Sequence, residues 1–362
     1  MIDGIIPAEI ADEPAAIRAT LAGSAEAAGL AAAALRSHGV TRVYVIGNGT
    51  SYHSSLAAAT LYRRHAQPSD PIVVALTAGE FRNYLPVLGP TDAVLGISAS
   101  GEFRDVIAVV EAVKGRVPTV AIVHVPGSTL DRIADHVVLS AGGPSQVPVM
   151  TKTFASTLVA AELVLAGLLG DERAGRIRDG IGAAADHAEA AIAAAEPRVP
   201  DLADALTGAR HLFVVGSGGA QPAALEAALK LKEMAIVHAE GTESWEMASG
   251  AATIIDGGSV VIALAPNGPG YSATVDVARH AAGWGARVIE VAPQGSIEGA
   301  DLLPIPAAAE EDHASLTTVP PVALLAFALA RRRGHDPDHP DWVERYHSQG
   351  LRHIISVGSE SR

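Results

Sequence analysis

Continuous apolar runs alternate with longer stretches of helical period along most of the chain. Arg42 to Ile46, Ile72 to Leu76, Ala93 to Ile97, Thr119 to His124 and Val137 to Ser140 each read as a strand covered on both faces. Between them the pattern predicts helices from about Tyr52 to His65, from near Gly79, and from Phe103 to Lys114. The order repeats downstream: strand His211 to Val215, helix Pro222 to Val237, strand Ser259 to Ala265, helix Ser272 to Trp284, strand Arg287 to Val291. Such alternation predicts an α/β fold built on parallel, doubly wound sheets. Ala-rich helical stretches precede the first set (about Asp12 to His38) and join the two sets (171–205, broken at Pro197 and Pro200). The most apolar segments, Ala155 to Gly170 and Val319 to Ala330, are too short to span a bilayer and read as buried helices.

The repetition extends to the turns. Gly47-Asn48-Gly49-Thr50-Ser51 leaves one strand and Gly216-Ser217-Gly218-Gly219-Ala220 leaves another, with Gly49 and Gly218 separated by 169 residues. Ser98-Ala99-Ser100-Gly101 and Ala265-Pro266-Asn267-Gly268 repeat at an offset of 167. A near-constant offset at two landmarks means a duplicated domain. The expected division is a helical segment over 1–40, a first domain over 41–170, a helical connection over 171–205, a second domain over 206–334 and a tail over 335–362.

Thr50, Ser51, Ser98 and Ser100 supply hydroxyls at strand ends of one sheet, and Gly49, Ala99 and Gly101 supply backbone amides. Either turn alone is best read as helix capping. Both at the ends of one sheet point to an anion such as phosphate. A dinucleotide does not fit. The first turn lacks the third glycine, and the second strand ends Val74-Ala75-Leu76-Thr77 without an acid for a ribose. No cofactor is expected.

Composition narrows the choice. With 49% hydrophobic and 18% charged residues the chain is not disordered. A net charge of −14 without a basic patch argues against nucleic acid and against an anionic membrane surface. The absence of cysteine removes disulfides, thiolate metal sites and a thiol nucleophile. The N-terminus lacks the pattern of a signal peptide, so a cytoplasmic location is expected.

Glu226, Lys230 and Glu233 share one face of the helix after the second Gly-rich turn. The ordinary reading is a solvated face with surface ion pairs. Yet Glu240, Glu243 and Glu246 follow closely, and an ionised Glu beside a Lys is a workable base toward a carbon acid next to a carbonyl. His238 reads as a structural histidine. The His335, His339 and His347 group, broken by Pro and Asp, reads as a surface loop rather than a metal site. No metal is expected.

Taken in order, Gly49-Thr50-Ser51-Tyr52, Ala78-Gly79-Glu80-Phe81-Arg82, Ser98-Ala99-Ser100-Gly101-Glu102, Val125-Pro126-Gly127-Ser128-Thr129-Leu130, Ala228-Leu229-Lys230-Leu231-Lys232-Glu233, His238-Ala239-Glu240 and Ala265-Pro266-Asn267 resemble the sugar isomerase (SIS) domain family in its tandem form. The likeness spans roughly Thr41 to Pro340 and is nearest the isomerase half of glucosamine-6-phosphate synthases and stand-alone phosphosugar isomerases and deaminases. It implies two tandem flavodoxin-like SIS domains, each a parallel sheet flanked by helices. It also implies a small-molecule phosphosugar ligand and a homodimer with shared active sites. It places the sugar phosphate on Thr50, Ser51, Ser98 and Ser100, makes Glu233 the group that moves the proton between C2 and C1, and gives Lys230 a supporting role.

Several positions depart from the synthase pattern. Ala99 and Phe103 stand where that pattern has Gln and Thr, removing two side-chain phosphate contacts. Ser249, in Glu246-Met247-Ala248-Ser249-Gly250, replaces the histidine that opens the sugar ring. Arg345 aligns with a C-terminal lysine and cannot form an imine. No glutaminase segment or cysteine is present, so ammonia transfer from glutamine is not expected. Ring opening then falls to Glu246, His53 or a tail histidine such as His347 or His353. The reading that follows is an amino-sugar or hexose 6-phosphate isomerase or deaminase. The alternatives are β-elimination from the same intermediate, as in a dehydratase-like lyase acting on N-acetylglucosamine 6-phosphate, and a non-catalytic phosphosugar sensor.

Overall fold

A computed structural model describes residues 2–84 and 86–348, the last four by their backbone alone. The strands are β1 (Arg42–Gly47), β2 (Ile72–Thr77), β3 (Asp92–Ile97), β4 (Thr119–Val123), β5 (His136–Leu139), β6 (His211–Val215), β7 (Ala239–Thr242), β8 (Ser259–Leu264), β9 (Arg287–Ala292) and β10 (Asp301–Pro304). Helices α1 (Ile5–Ala11), α2 (Glu13–Gly23) and α3 (Ala25–Ser37) precede them. Helices α4 (Thr50–His65), α5 (Ala78–Asn83), α6 (Arg104–Val113) and α7 (Thr129–Ile133) lie between the first strands, and α8 (Lys152–Ala166), α9 (Asp171–Ala195) and α10 (Val199–Leu206) follow. The second set holds α11 (Ala220–Ala235), α12 (Ser244–Ser249), α13 (Tyr271–Gly283), α14 (Ala314–Thr317), α15 (Val319–Arg332) and α16 (Asp341–Ser348).

Every strand pairing is parallel, and the strands form two five-stranded sheets, ordered β2-β1-β3-β4-β5 and β10-β9-β8-β6-β7. Numbered from the first strand of each set, both read 2-1-3-4-5. The fold is therefore the expected duplicated α/β architecture, with the strand order reversing beside β1 and beside β6. The duplication reaches the backbone. A Cβ on Gly47 would lie 2.6 Å from the carbonyl of Ser51, and one on Gly216 would lie 2.6 Å from that of Ala220. In each repeat the first turn of the helix rests on bare glycine, which only a residue without a side chain permits.

The chain divides into two compact units whose boundaries interleave. One comprises Ala15–Pro144, Lys152–Gly182 and Asp341–Arg362, and holds β1–β5. Its core packs Tyr44, Ile46 and Val94 from the sheet against Val106, Val110 and Val113 of α6. The other comprises Met1–Pro14, Ser145–Thr151 and Ala183–Pro340, and holds β6–β10. There Phe213, Val215, Val261 and Ala263 pack against Val275, Ala278 and Ala281 of α13. The first residues are tied into this second unit by Asp338, whose carboxylate accepts the Ile6 N–H at 2.8 Å and the Ile5 N–H at 3.1 Å. Among the described residues one helical run, Glu311–Arg332, is long and apolar enough by length and composition to cross a membrane. Its most apolar window is entirely buried within the protein.

Candidate functional site

In the first unit, β1 and β3 are neighbours in register from Arg42 opposite Asp92 to Ile46 opposite Gly96. The turns that leave their C-terminal ends therefore open side by side, and the fold brings Gly49, Thr50 and Ser51 to the same sheet edge as Ser98, Ala99, Ser100 and Gly101. Helix α4 begins after Gly49, at φ 53°, with no side-chain cap among the described residues. Its first two turns are rich in hydroxyls, but two of them, in the second turn, are spent internally. Ser54 Oγ donates to the Thr50 carbonyl and Ser55 Oγ to the Ser51 carbonyl. Thr50 and Ser51 are buried and Ser100 is exposed.

The β3–α6 turn is held by its neighbours. Glu102 accepts the Thr129 N–H at 2.8 Å and the Thr129 hydroxyl at 2.9 Å, which fastens the turn to the start of α7. The Ala99 carbonyl accepts the N–H groups of His124 and Val125. Gly101 sits at φ 66°, and any side chain there would run into Ser128. The Ser128 hydroxyl is buried and finds no hydrogen-bond partner among the described residues. The turn is thus held with little freedom to move, its Ser98 and Gly101 N–H groups donating to the Ile122 and Ser98 carbonyls and its Glu102 N–H to the Ser100 hydroxyl. Neither Glu102 nor Ser128 stood out in the sequence as a positioning group, because Glu102 bonds to Thr129 and Ser128 packs against Gly101, each in a different turn.

In the second unit, α11 carries the charged trio. Lys230 Nζ lies 3.1 Å from Glu226 Oε1 and 2.7 Å from Glu233 Oε2. The ordinary expectation of a solvated face is overturned here. Glu226 and Lys230 are buried, while Glu233 keeps about a quarter of its side chain exposed. The reason is packing: α11 is pressed against both α15 and β7, so the face that reads as polar points inward. Burial works to lower the Lys230 pKa, but Glu226 and Glu233 outweigh it and hold the ammonium above its usual range. A further acid joins from far upstream. Glu13, in the first turn of α2, is buried and its pKa is pushed up to about 8 by burial. Lys230 works against that shift, and Glu226 and Glu9 add to it. Periodicity gave no signal of Glu13, since its neighbours in space are distant in sequence.

The remaining expected residues separate. Glu243 proves to be a cap: it accepts the N–H groups of Trp245 (2.7 Å) and Glu246 (3.1 Å) at the start of α12, and the hydroxyl of Ser217. Glu246 and Ser249 are exposed on that short helix, and the Ser249 hydroxyl is turned back onto the Trp245 carbonyl at 2.7 Å. His339 lies beside Asp336 on an exposed loop. Arg345 and His347 belong to α16, but their side chains lie outside the described residues, as does His353 altogether. Among the described residues no group of three or more His, Asp or Glu side chains is arranged to hold a metal ion.

A single family description covers both repeats: the SIS domain matches residues 38–166 and 205–330. The chain belongs to the SIS domain family. Among relatives, the glutamine–fructose-6-phosphate aminotransferase [isomerizing] of Methanothermobacter thermautotrophicus is 33% identical over 340 residues, covering 92% of this chain and 55% of the relative. The protein of the same name from Gloeobacter violaceus is 35% identical over 310 residues, covering 83% and 50%. This SIS chain thus spans about half the length of the curated relatives it matches. Its fold resembles the C-terminal domain of glucosamine-fructose-6-phosphate aminotransferase from Francisella tularensis, with a TM-score of 0.83 and 21% identity. That likeness covers 93% of this chain and 98% of that one.

Proposed function

We propose that this SIS protein converts a phosphorylated hexose, an amino sugar 6-phosphate, by removing the proton at C2. The observation that carries the reading is the buried ammonium of Lys230 held 2.7 Å from a carboxylate that still reaches solvent, that of Glu233. The hydroxyls of Thr50, Ser51, Ser98 and Ser100, on turns shaped by Gly49, Ala99 and Gly101, take the phosphate. Once C1 is an aldehyde, Glu233 takes the C2 proton, and Lys230 offsets the charge that develops on the enediol or enolamine. Return of the proton to C1 gives the ketose directly from a 2-hydroxy sugar; from a 2-amino sugar it gives the 2-imine, which water hydrolyses to the ketose with release of ammonia.

One observation favours a second reading. At the ring-opening position Ser249 offers a hydroxyl committed to Trp245 rather than an imidazole. Expulsion of the C3 hydroxyl from the same intermediate, a β-elimination, then competes with isomerisation. Proton NMR in D₂O with glucosamine 6-phosphate, N-acetylglucosamine 6-phosphate and fructose 6-phosphate separates these outcomes. Exchange at C2 with a ketose product supports isomerisation or deamination. A vinylic signal from the N-acetylated sugar assigns the lyase. Line broadening without turnover makes the protein a sensor. Glu233→Gln is expected to slow turnover by about 10²–10⁴-fold while ligand still binds, and undiminished turnover removes Glu233 from the mechanism. Ser100→Trp is expected to abolish binding; unchanged affinity moves the phosphate elsewhere.

A further inference from the structure

The second unit carries the same pair of turns as the first, and something already lies in them. Gly218 (φ 60°) repeats Gly49 (φ 53°), and Gly268, after β8, repeats Gly101, after β3. A Cβ placed on Gly49 would meet no atom of the described residues within 4 Å. One placed on Gly218 would lie 2.6 Å from Oε1 of Glu311, and one on Gly268 would collide with the same carboxylate. Glu311 is 4% exposed, and its Oε2 accepts the Gly270 N–H at 2.7 Å, immediately before the thirteen-residue helix α13.

We propose that Glu311 is a resident anion: its carboxylate permanently fills the second unit's copy of the anion-binding turns. The backbone commits it there. The Glu311 N–H donates to the Asn267 carbonyl at 2.8 Å, and the Asn267 N–H donates to the Ala309 carbonyl at 3.1 Å, so the segment runs along the turn as a short parallel bridge. The other polar group of the turn is also taken, since the Ser217 hydroxyl donates to Glu243. A carboxylate at the start of α13 and against the turn that begins α11 gains from both helix dipoles, as a phosphate would. The duplicated turns therefore take no external anion. They anchor instead the N-terminal end of α11, the helix that bears Lys230 and Glu233.

This inference does not depend on where the sugar phosphate binds or on which reaction follows. Its test is chemical rescue with formate, a carboxylate small enough for the space a shortened side chain leaves. Glu311→Ala is expected to lower the melting temperature of the full chain by roughly 4–8 °C. Formate up to about 0.1 M should restore most of that loss, the gain growing with the logarithm of its concentration above its dissociation constant, and the Gly218 and Gly270 amide signals should move along a saturable curve as it binds. The unaltered protein and Glu310→Ala, changed at the exposed neighbour, should show no saturable response. Glu311→Gln keeps the shape and removes the charge, so it should lose stability yet stay insensitive to formate. A Glu311→Ala response equal to that of Glu310→Ala overturns the proposal, as does a Glu311→Gln protein as stable as the original.

Discussion

Replacing Lys230 with Met tests whether the charged face of α11 is truly internal. The substitution keeps most of the side-chain volume and removes the ammonium. Glu226, 3.1 Å away and fully buried, would then be a carboxylate without its counter-charge. Removing one partner of a buried pair costs about 3–5 kcal/mol, because the other charge stays desolvated. Glu233 would lose its partner too, but its exposure lets water compensate. Urea denaturation should show the loss in Lys230→Met, and the double variant Lys230→Met/Glu226→Gln should recover about 2–3 kcal/mol of it. Most of the cost then resides in the stranded carboxylate and not in lost packing. A single variant within about 1 kcal/mol of the original, or a double variant no better than the sum of its parts, would mean that this face is solvated after all.

Other expectations follow from neighbouring features. Glu13 holds its proton up to about pH 8 in the fold against an ordinary 4.5, so stability should fall as pH rises through that window, by about 5 kcal/mol in all. Glu13→Gln should flatten that slope in urea titrations from pH 4.5 to 8.5, and parallel curves would refute it. The hydrogen bonds from Arg173 hold the Asp70 carboxyl below its usual range. That stability is present above the ordinary carboxylate pKa and is lost as pH falls through the lowered one, so Asp70→Asn should blunt the acid limb of the stability profile. Ile236 follows α11 at φ 52°, a left-handed conformation costly for a β-branched residue, with 41% of its surface exposed. Ile236→Gly should therefore raise stability by about 1 kcal/mol, and a loss would show that its side chain contributes more packing than its exposure implies.

The sequence announced the sheets wherever strands are buried on both faces. The six central strands β1, β3, β4, β6, β8 and β9 are all apolar runs, and their order with the helices made the doubly wound fold readable. Strands β7 and β10 were not foreseen. They read Ala-Glu-Gly-Thr and Asp-Leu-Leu-Pro, and both stand at sheet edges where one flank is unpaired and apolar continuity is not required. The hydroxyl turns of the first unit were legible for a local reason, since strand, turn and helix start are adjacent in sequence. The surroundings of Lys230 were not. Whether Glu226 and Lys230 meet water depends on α15 and β7 lying across α11, and Glu13 arrives from a helix before the first strand. Periodicity reports which residues share a face, but not what covers that face.

The interleaved boundaries bear on how the protein forms during synthesis. The first fourteen residues belong with a unit whose other parts are residues 145–151 and 183–340, and α1 is capped by Asp338, 332 residues after Ile6. A ribosome adding about 5–20 residues per second needs roughly 15–65 s between making Ile6 and making that cap. Over that interval β1–β5 can assemble while α1, made first, has only the 145–151 segment to bond and still lacks its cap and the α15 face it packs against. The leading helix is thus held over until the end, and its docking reports that nearly the whole of both sheets has been made.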